Sequence, residues 1–332
     1  SILRVPAPNA RRLFVHMLVR NLATPTTKPS AVAIGAFDGV HRGHAALLAL
    51  CVAQADDTLI PTALTFEPLP RHFFNRESTL RLTPMAMRYR LLRAAGAERV
   101  LALRFNAALA EMSPEEFVRV VLRQRLAARQ VLVGPNFRFG HKRAGDADTL
   151  LALAPRYGFE VNIVPPVGED GSVISATAVR QALIASDFDR AARLLGRRYC
   201  YEGRVVRGQQ LGRQLGFPTA NIRWPQDSLG FSGIFAVRVS GAGLTAFPGV
   251  ASLGYRPAVG GKELLLEVHL LDYAGDLYGQ RLSVEFVAKQ RDEWHFASLD
   301  ALVEQIRRDA VEARGLLSAA PQPSAATILA SD

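Results

Sequence analysis

The sequence predicts a parallel, doubly wound α/β domain followed by an all-β domain, an antiparallel sheet or small barrel that ends in a helix. Three observations predict it. The chain has 332 residues, about the size of two ordinary domains. From Ala31 to Val164 short apolar runs alternate with helical stretches, the pattern of parallel strands joined by crossover helices. Near residue 198 the alternation stops, and the segments up to Ala288 are short, rich in Val, Leu, Phe and Tyr, and broken by glycine, as in antiparallel sheets and barrels.

In order along the chain, Leu13–Val19 reads as an edge strand rather than a secretory segment, because the apolar run is short, holds His16 and stops at Arg20. Ala31–Phe37 is a buried strand, Arg42–Gln54 a helix, Leu59–Phe66 the next strand, Pro84–Ala95 a helix and Arg99–Arg104 a strand. Pro114–Ala127 is a helix with Ser113 as N-cap and Pro114 at its first position. Val131–Gly134, helix Ala147–Tyr157 and strand Glu160–Val164 follow, and helical turns at 177–185 and 188–195 are expected to close this half. In the second half Ile234–Val239, Leu264–Leu271 and Arg281–Val287 read as strands. A last helix over Leu299–Ala313 carries Leu302, Ile306 and Ala310 on one face. The expected domains are 1–186 and 187–315, with a loose tail at 316–332.

Bulk properties narrow the functional classes. Hydrophobic content of 49% and charged content of 21% are those of a soluble globular protein. No apolar run approaches the roughly 18 to 20 residues that span a bilayer, so no membrane association is expected. Cys51 and Cys200 are the two cysteines, and they fall in different expected domains. That leaves neither a disulfide framework nor a cysteine zinc site and fits a reducing cytoplasm. The net charge of +10 comes with only four lysines, Lys28, Lys142, Lys262 and Lys289. The arginines are spread along the chain, which favours small phosphate ligands over a nucleic-acid groove. The sequence leaves a homo-oligomer open.

The first candidate site is Gly35-Ala36-Phe37-Asp38-Gly39-Val40-His41-Arg42-Gly43-His44. A strand ends here and a helix opens, and a helix N-terminus offers free N–H groups and a favourable dipole to phosphate. His41 and His44, three apart, are expected on one helix face. There they can donate to a polyphosphate and stabilise charge on a leaving pyrophosphate. Gly43 between them lets a ligand approach the backbone. Gly134-Pro135-Asn136-Phe137-Arg138-Phe139-Gly140 leaves a later strand as a second loop. Ser175 and Thr177 open a further helix, where their hydroxyls either cap it or, with Arg180, bind phosphate oxygens.

The second candidate site runs from Gly203 through Gly208, Gly212, Arg213, Gly216, Phe217, Pro218, Thr219 and Ala220 to Asn221. Backbone N–H groups of such a loop can cradle phosphate. A Thr hydroxyl and an Asn carbonyl oxygen suit Mg²⁺. No Walker motif occurs. Downstream, Glu267 lies inside the apolar strand 264–271 with His269 two residues on, so both point to one side. A carboxylate in a buried strand is either salt-bridged to an arginine or placed to take a proton from a substrate hydroxyl during phosphoryl transfer.

These motifs together resemble the prokaryotic bifunctional riboflavin kinase/FAD synthetases. The Gly-x-Phe-Asp-Gly-Val-His-x-Gly-His run, the Asn136 loop, Ile174-Ser175-x-Thr177-x-x-Arg180, Thr65–Pro70 and Arg81-Leu82-Thr83 resemble their adenylyltransferase module, a Rossmann-like nucleotidyltransferase with a His-x-Gly-His motif. The Gly208–Asn221 run, Gly249-Val250-Ala251, Arg256-Pro257, Leu266–His269, Asp276–Gly279 and Arg291-Asp292-Glu293 with Phe296 resemble their riboflavin kinase module, a six-stranded barrel with a C-terminal helix. The resemblance covers roughly residues 30 to 313. It implies that Gly35, Phe37, Asp38, Gly39, His41, Gly43 and His44 meet the ATP phosphates, with Ser175, Thr177 and Arg180 on phosphate and Asn136 on the flavin side. It also implies Thr219 and Asn221 on Mg²⁺-ATP, Glu267 as base for the ribityl 5′-hydroxyl, and Arg291 in a flavin-side loop.

The activity it implies is phosphorylation of riboflavin to FMN, then adenylylation of FMN to FAD, with ATP as co-substrate of both. The alternative is that one of the two modules alone is active. Departures from the family pattern are Leu69, where His is frequent, Ala176, where Ser is frequent, and Ser252, Ala258 and Val259 in the loop that more often reads Asn, then Gly, then Arg-Pro-Thr-Phe.

Overall fold

The computed structural model describes residues 17–19, 28–74, 80–208, 212, 215–224, 230–258 and 261–321. The chain forms two compact units, residues 1–76 with 85–174, and residues 77–84 with 175–332.

In the first unit the elements run β1 (Met17–Val19), β2 (Ser30–Ile34), α1 (Arg42–Gln54), β3 (Ile60–Glu67), α2 (Pro70–Phe74), α3 (Met85–Ala94) and β4 (Arg99–Arg104). Then come α4 (Ala107–Ala110), α5 (Pro114–Phe117), β5 (Ala128–Val133), β6 (Arg138–Phe139), β7 (Gly145–Asp146), α6 (Ala147–Tyr157), β8 (Glu160–Ile163), β9 (Gly168–Glu169) and β10 (Ser172–Val173). The main sheet has the order β1-β4-β3-β2-β5-β8, and every pair in it is parallel. β2 is central and buried along its whole length, which is why it reads as a continuous apolar run. β1 is at the edge, as expected. The order reverses at β2: β3 and β4 lie to one side, β5 and β8 to the other. In such sheets ligands bind outside the carboxyl ends of the strands at that reversal. The loops leaving β2 and β5 therefore flank the expected crevice.

The helix expected over 114–127 changes register inside. Ser113 Oγ accepts from Glu116 N at 3.1 Å, as an N-cap should, but the chain passes from α5 into π-helical bonding over Val118–Arg125. Val118, Val121 and Leu122 face the core from that segment.

The second unit contains α7 (Ala176–Ile184), α8 (Phe188–Leu195), β11 (Cys200–Val206), β12 (Ala220–Arg223), β13 (Gly233–Gly241), β14 (Leu244–Ala258), β15 (Gly261–Leu270), β16 (Arg281–Arg291) and α9 (Leu299–Ala319). Its six strands close into a barrel in the order β11-β12-β15-β14-β13-β16. Closure removes the exposed edges that a short open sheet would carry. Aromatic rings fill the inside: Tyr201 stacks on Trp224 at 3.9 Å, and Phe231, Phe235 and Phe286 meet edge to face within 5.6 Å.

Two expectations change here. The helical turns at 177–185 and 188–195 are expected to close the first half, the second of them already past the expected boundary at 186, and Phe188 of α8 stacks on Phe286 at 5.8 Å and meets Phe231 and Phe235 edge on. Burial of that ring ties the pair to the barrel. The terminal helix also continues past Ala313 to Ala319. Its most buried residues are Asp309, Ala313 and Leu317, while Leu302, Ile306 and Ala310 are half-buried. Its last carbonyls find a donor: Arg238 of β13 reaches Leu317 O at 2.9 Å, Ala320 O at 3.0 Å and Pro321 O at 2.8 Å. Residues 316–319, expected in the tail, are helix for that reason.

Candidate active sites

The first site lies in the loop from β2 to α1. Gly35 N bonds Leu64 O at 3.1 Å, so the two strand ends leave the sheet together. The chain then makes a tight turn in which Phe37, Gly39 and Val40 all have positive φ, +52°, +82° and +42°. Val40 N closes it on Phe37 O at 3.2 Å. Phe37 and Asp38 are buried. His41 is extended and caps α1, with its Nδ1 accepting from His44 N at 3.3 Å. Its ring stacks on that of His44 with centroids 3.6 Å apart. The two imidazoles thus form one paired surface, with His41 at the cap rather than within the first turn. A Cβ on Gly43 would stand 3.2 Å from the His41 ring, so glycine there admits the pair as well as a ligand. α1 has no acidic residue in its first turn, which leaves its N-terminal dipole available to an anion.

Asn136 is exposed in the turn after β5, closed by Phe137 N on Gly134 O at 3.1 Å. Phe137 stacks on Phe139 at 5.2 Å. On the other side of the reversal, Phe66 at the end of β3 and Phe105 just past β4 meet at 5.9 Å, and Phe73 and Phe74 of α2 pack on Phe105 at 5.2 and 5.7 Å. Phe74 is 64% exposed. Sequence reasoning missed this cluster, although its signal was legible: aromatics sit at or just past the carboxyl ends of two adjacent strands. Leu69 is buried and packs in the core, so it offers no polar group to a ligand.

Ser175, Thr177 and Arg180 belong to the second compact unit. Ser175 is the N-cap of α7, its Oγ accepting from Ala178 N at 3.2 Å. Ala176 follows it in the first turn, and Thr177 is exposed. Arg180 is buried and gives its Nε to Leu80 O at 2.6 Å.

The second site is on the wall of the barrel. Arg213 lies outside the described residues. Phe217 N bonds Gly212 O at 2.7 Å, and a Cβ on Gly212 would overlap Phe217 O. Gly208 lies against the Asn221 side chain, 2.7 Å from where its own Cβ would be. Gly216 has φ +85°. The Pro218 carbonyl, which can only accept, lies 2.9 Å from His269 Nδ1, so His269 donates from that nitrogen. Thr219 is half-buried, and its carbonyl takes Asn221 Nδ2 at 3.4 Å. Asn221 is 4% exposed and pairs directly with Glu267 across β12 and β15. On its other flank Glu267 pairs with Ser252 of β14.

Glu267 is half-buried rather than enclosed. Leu264, Leu266, Val268 and Leu270 take the inner face of β15, and Glu267 and His269 alternate with them onto the outer one. Ser252 Oγ donates to Glu293 Oε1 at 3.2 Å, and the Glu293 carboxylate lies flat on Gly254. Sequence reasoning named Glu293 only as part of a family-like run, without the contact to Ser252. The side chains of Ala258 and Val259 lie outside the described residues. Arg291 ends β16 and grips buried Asp309 of α9 through Nε and Nη2 at 3.0 and 2.6 Å, with its guanidinium 4.7 Å over the Trp294 ring.

Comparison with known proteins decides what the two sites belong to. The sequence model of the family described as FAD synthetase matches residues 23–178, and that of riboflavin kinase matches residues 195–317. The chain belongs to the bifunctional riboflavin kinase/FMN adenylyltransferase family. It is 44% identical over 303 residues to the member from Pseudomonas fluorescens, covering 90% of this chain and 97% of that protein. It is 40% identical to the member from Escherichia coli K12, covering 89% and 95%. A crystal structure titled as a macrolide-efflux protein from Streptococcus pneumoniae superposes with a TM-score of 0.74 at 29% identity, covering 90% of this chain and 98% of that one. Among the described residues no helix is long and apolar enough to cross a membrane.

Proposed function

We propose that each compact unit carries one of the family's two reactions, and that the product of the barrel is the substrate of the parallel-sheet unit. The observation that carries this reading is that two phosphate-type sites of different chemistry fall on two separate compact units, each matched by its own family model.

In the barrel, riboflavin gives up the proton of its ribityl 5′-hydroxyl as that oxygen attacks the γ-phosphorus of ATP, and FMN and ADP leave. Glu267 accepts the proton. Its support is its place on the outer face of β15, half-buried between Asn221 and Ser252. Thr219 and Asn221 offer hydroxyl and amide oxygens, hard donors suited to Mg²⁺, and the Asn221 Nδ2 is engaged by the Thr219 carbonyl. Mg²⁺ held there would neutralise phosphate charge during transfer. The glycine-rich run holds the remaining phosphate oxygens through backbone N–H groups.

In the parallel-sheet unit, an FMN phosphate oxygen attacks the α-phosphorus of a second ATP in line, forming FAD as the bond to pyrophosphate breaks. No covalent enzyme intermediate is needed. His41 and His44 donate to the leaving pyrophosphate beside the α1 N-terminus, where negative charge is already favoured. Ser175, Thr177 and Arg180, carried by the second compact unit, are phosphate-binding candidates by the family resemblance alone. Asn136 and the Phe66, Phe74 and Phe105 rings, at the carboxyl edge of the sheet, offer polar and apolar contact to a planar flavin. We assign the enzyme to the cytoplasm, a reading supported by two free, buried thiols.

Paired incubations test this: riboflavin with Mg-ATP, and FMN with Mg-ATP, with the flavins separated by chromatography. FAD from both is expected. FMN accumulating from riboflavin, with FAD from neither, would leave only the kinase. FAD from FMN but nothing from riboflavin would leave only the adenylyltransferase.

A further inference from the structure

Arg88 lies inside α3, away from every motif, and is 0% exposed. Burying a guanidinium costs stability unless it is paired and hydrogen-bonded, and an apolar side chain would fill the same volume without that cost. What Arg88 gains in exchange is geometry. Its Nη1 donates to Ala36 O at 3.0 Å, and its Nη2 to Phe66 O at 3.2 Å and to the Glu67 carboxylate. Met85 Sδ lies 3.1 Å from the same nitrogen. Ala36 begins the turn that follows β2, while Phe66 and Glu67 end β3. One planar fork therefore joins two adjacent strand ends at the carboxyl edge of the sheet.

The turn needs such a clamp. Directly after Ala36, Phe37 and Val40 occupy the left-handed region, which side chains avoid, a β-branched one most of all. Backbone of this kind persists only where its surroundings over-determine it. Upstream, the Ala36 carbonyl is held twice, by Arg88 and by Thr65 Oγ at 3.0 Å. Downstream, the turn ends at His41, which caps α1 and stacks on His44. We infer that Arg88 is a positioning residue for adenylyl transfer: by clamping Ala36 to the end of β3 it holds the 35–41 turn, and with it the His41–His44 pair, in the pose that meets the ATP phosphates. The inference rests on the assignment of that turn to adenylyl transfer.

Arg88→Lys is the test, because an ammonium cannot fork to both strand ends. With FMN and Mg-ATP as substrates, kcat/KM for ATP should fall by about tenfold or more, carried mostly by KM, since the turn meets phosphate in ground and transition states alike. Riboflavin phosphorylation by the same variant should stay within about twofold. Hydrogen exchange in the peptide spanning 35–44 should quicken by about tenfold while barrel amides are unchanged. Thr65→Val removes the second bond to the same carbonyl and should move both readouts the same way by a smaller factor, which decides the matter if Arg88→Lys does not fold. A lower melting temperature with KM for ATP and exchange at 35–44 unaltered would reduce Arg88 to a brace and overturn the inference. Unmodified enzyme that forms no FAD would instead sink the assignment of the turn, and the exchange data alone would then decide whether Arg88 holds it.

Discussion

Asn221 and Glu267 stand directly opposite each other across β12 and β15. Opposed residues of an antiparallel pair share a face, so the amide proposed for the metal and the carboxylate proposed for the proton are neighbours before any substrate arrives. Replacing Glu267 by Ala removes the proton acceptor and leaves the phosphate loop intact. FMN formation from riboflavin should drop by about 10²- to 10⁴-fold, while FAD formation from supplied FMN is retained. Chromatography of the two flavin products checks both halves.

His44→Ala should do the reverse. The His41–His44 pair closes the 35–41 turn of the parallel-sheet unit, proposed to meet the ATP phosphates, and removing a preorganised donor from such a site costs about 10²- to 10³-fold. FAD formation should fall by that factor and riboflavin phosphorylation should continue. If His44→Ala and Glu267→Ala abolish the same activity, the two-site assignment is wrong.

Asn221→Ala probes the metal assignment apart from the base. Asn221 is buried, with its amide against Gly208. Losing that oxygen ligand should raise the Mg²⁺ concentration for half-maximal kinase activity by about tenfold, equivalent to roughly 1.4 kcal/mol. The Mg²⁺ dependence of FAD formation should not move. A magnesium titration of each reaction separates the two.

Much of this was legible in sequence because period and punctuation report local structure. The strand-to-helix turn at 34–42 and the alternation along β15 follow from that kind of signal. Glu267 shows where it stops. An apolar strand suggested an enclosed carboxylate, but barrel closure assigns one face of β15 to the core and the other to the outside, and Glu267 falls on the outside. Phe188 makes the same point: chain order left its helix at the boundary between the halves, and long-range aromatic contacts tie it to the barrel. Arg88 left no trace in sequence, since an arginine in a helix ordinarily reads as solvated surface.

The two cysteines should be silent in the native enzyme. Burial pushes the Cys51 thiol up to about 11 and the Cys200 thiol up to about 12. The thiolate is the reactive form, and at about pH 8 almost none is present at either position. Iodoacetamide should modify neither in the folded protein and both in denaturant, with mass spectrometry counting the adducts. Native labelling of Cys200 would show that the barrel opens around it.

Arg238 should be the largest single contributor to the barrel unit's stability among its charged residues. It pairs with buried Glu285 at 3.2 Å and takes the last carbonyls of α9. Arg238→Met strips both partners and leaves the buried Glu285 carboxylate with only the weaker influence of Arg198, which costs about 3–5 kcal/mol. Burial already raises the Glu285 pKa, with Arg238 opposing it. Without Arg238 the rise is larger, so the native state holds the proton more tightly than the unfolded chain does. A raised carboxyl costs nothing below the unfolded value and most above the folded one, so the deficit should be smaller near about pH 5 than near about pH 8. Pairing Arg238→Met with Glu285→Leu removes the stranded charge and should recover most of the loss. Freeing the end of α9 should also reach the loop that the family resemblance puts on the flavin side, because Asp309 on that helix holds Arg291. Arg238→Met should therefore raise KM for riboflavin several-fold at temperatures where the barrel is still folded, and the double variant should keep that defect while regaining stability, because neither substitution restores a donor to the carbonyls at the helix end.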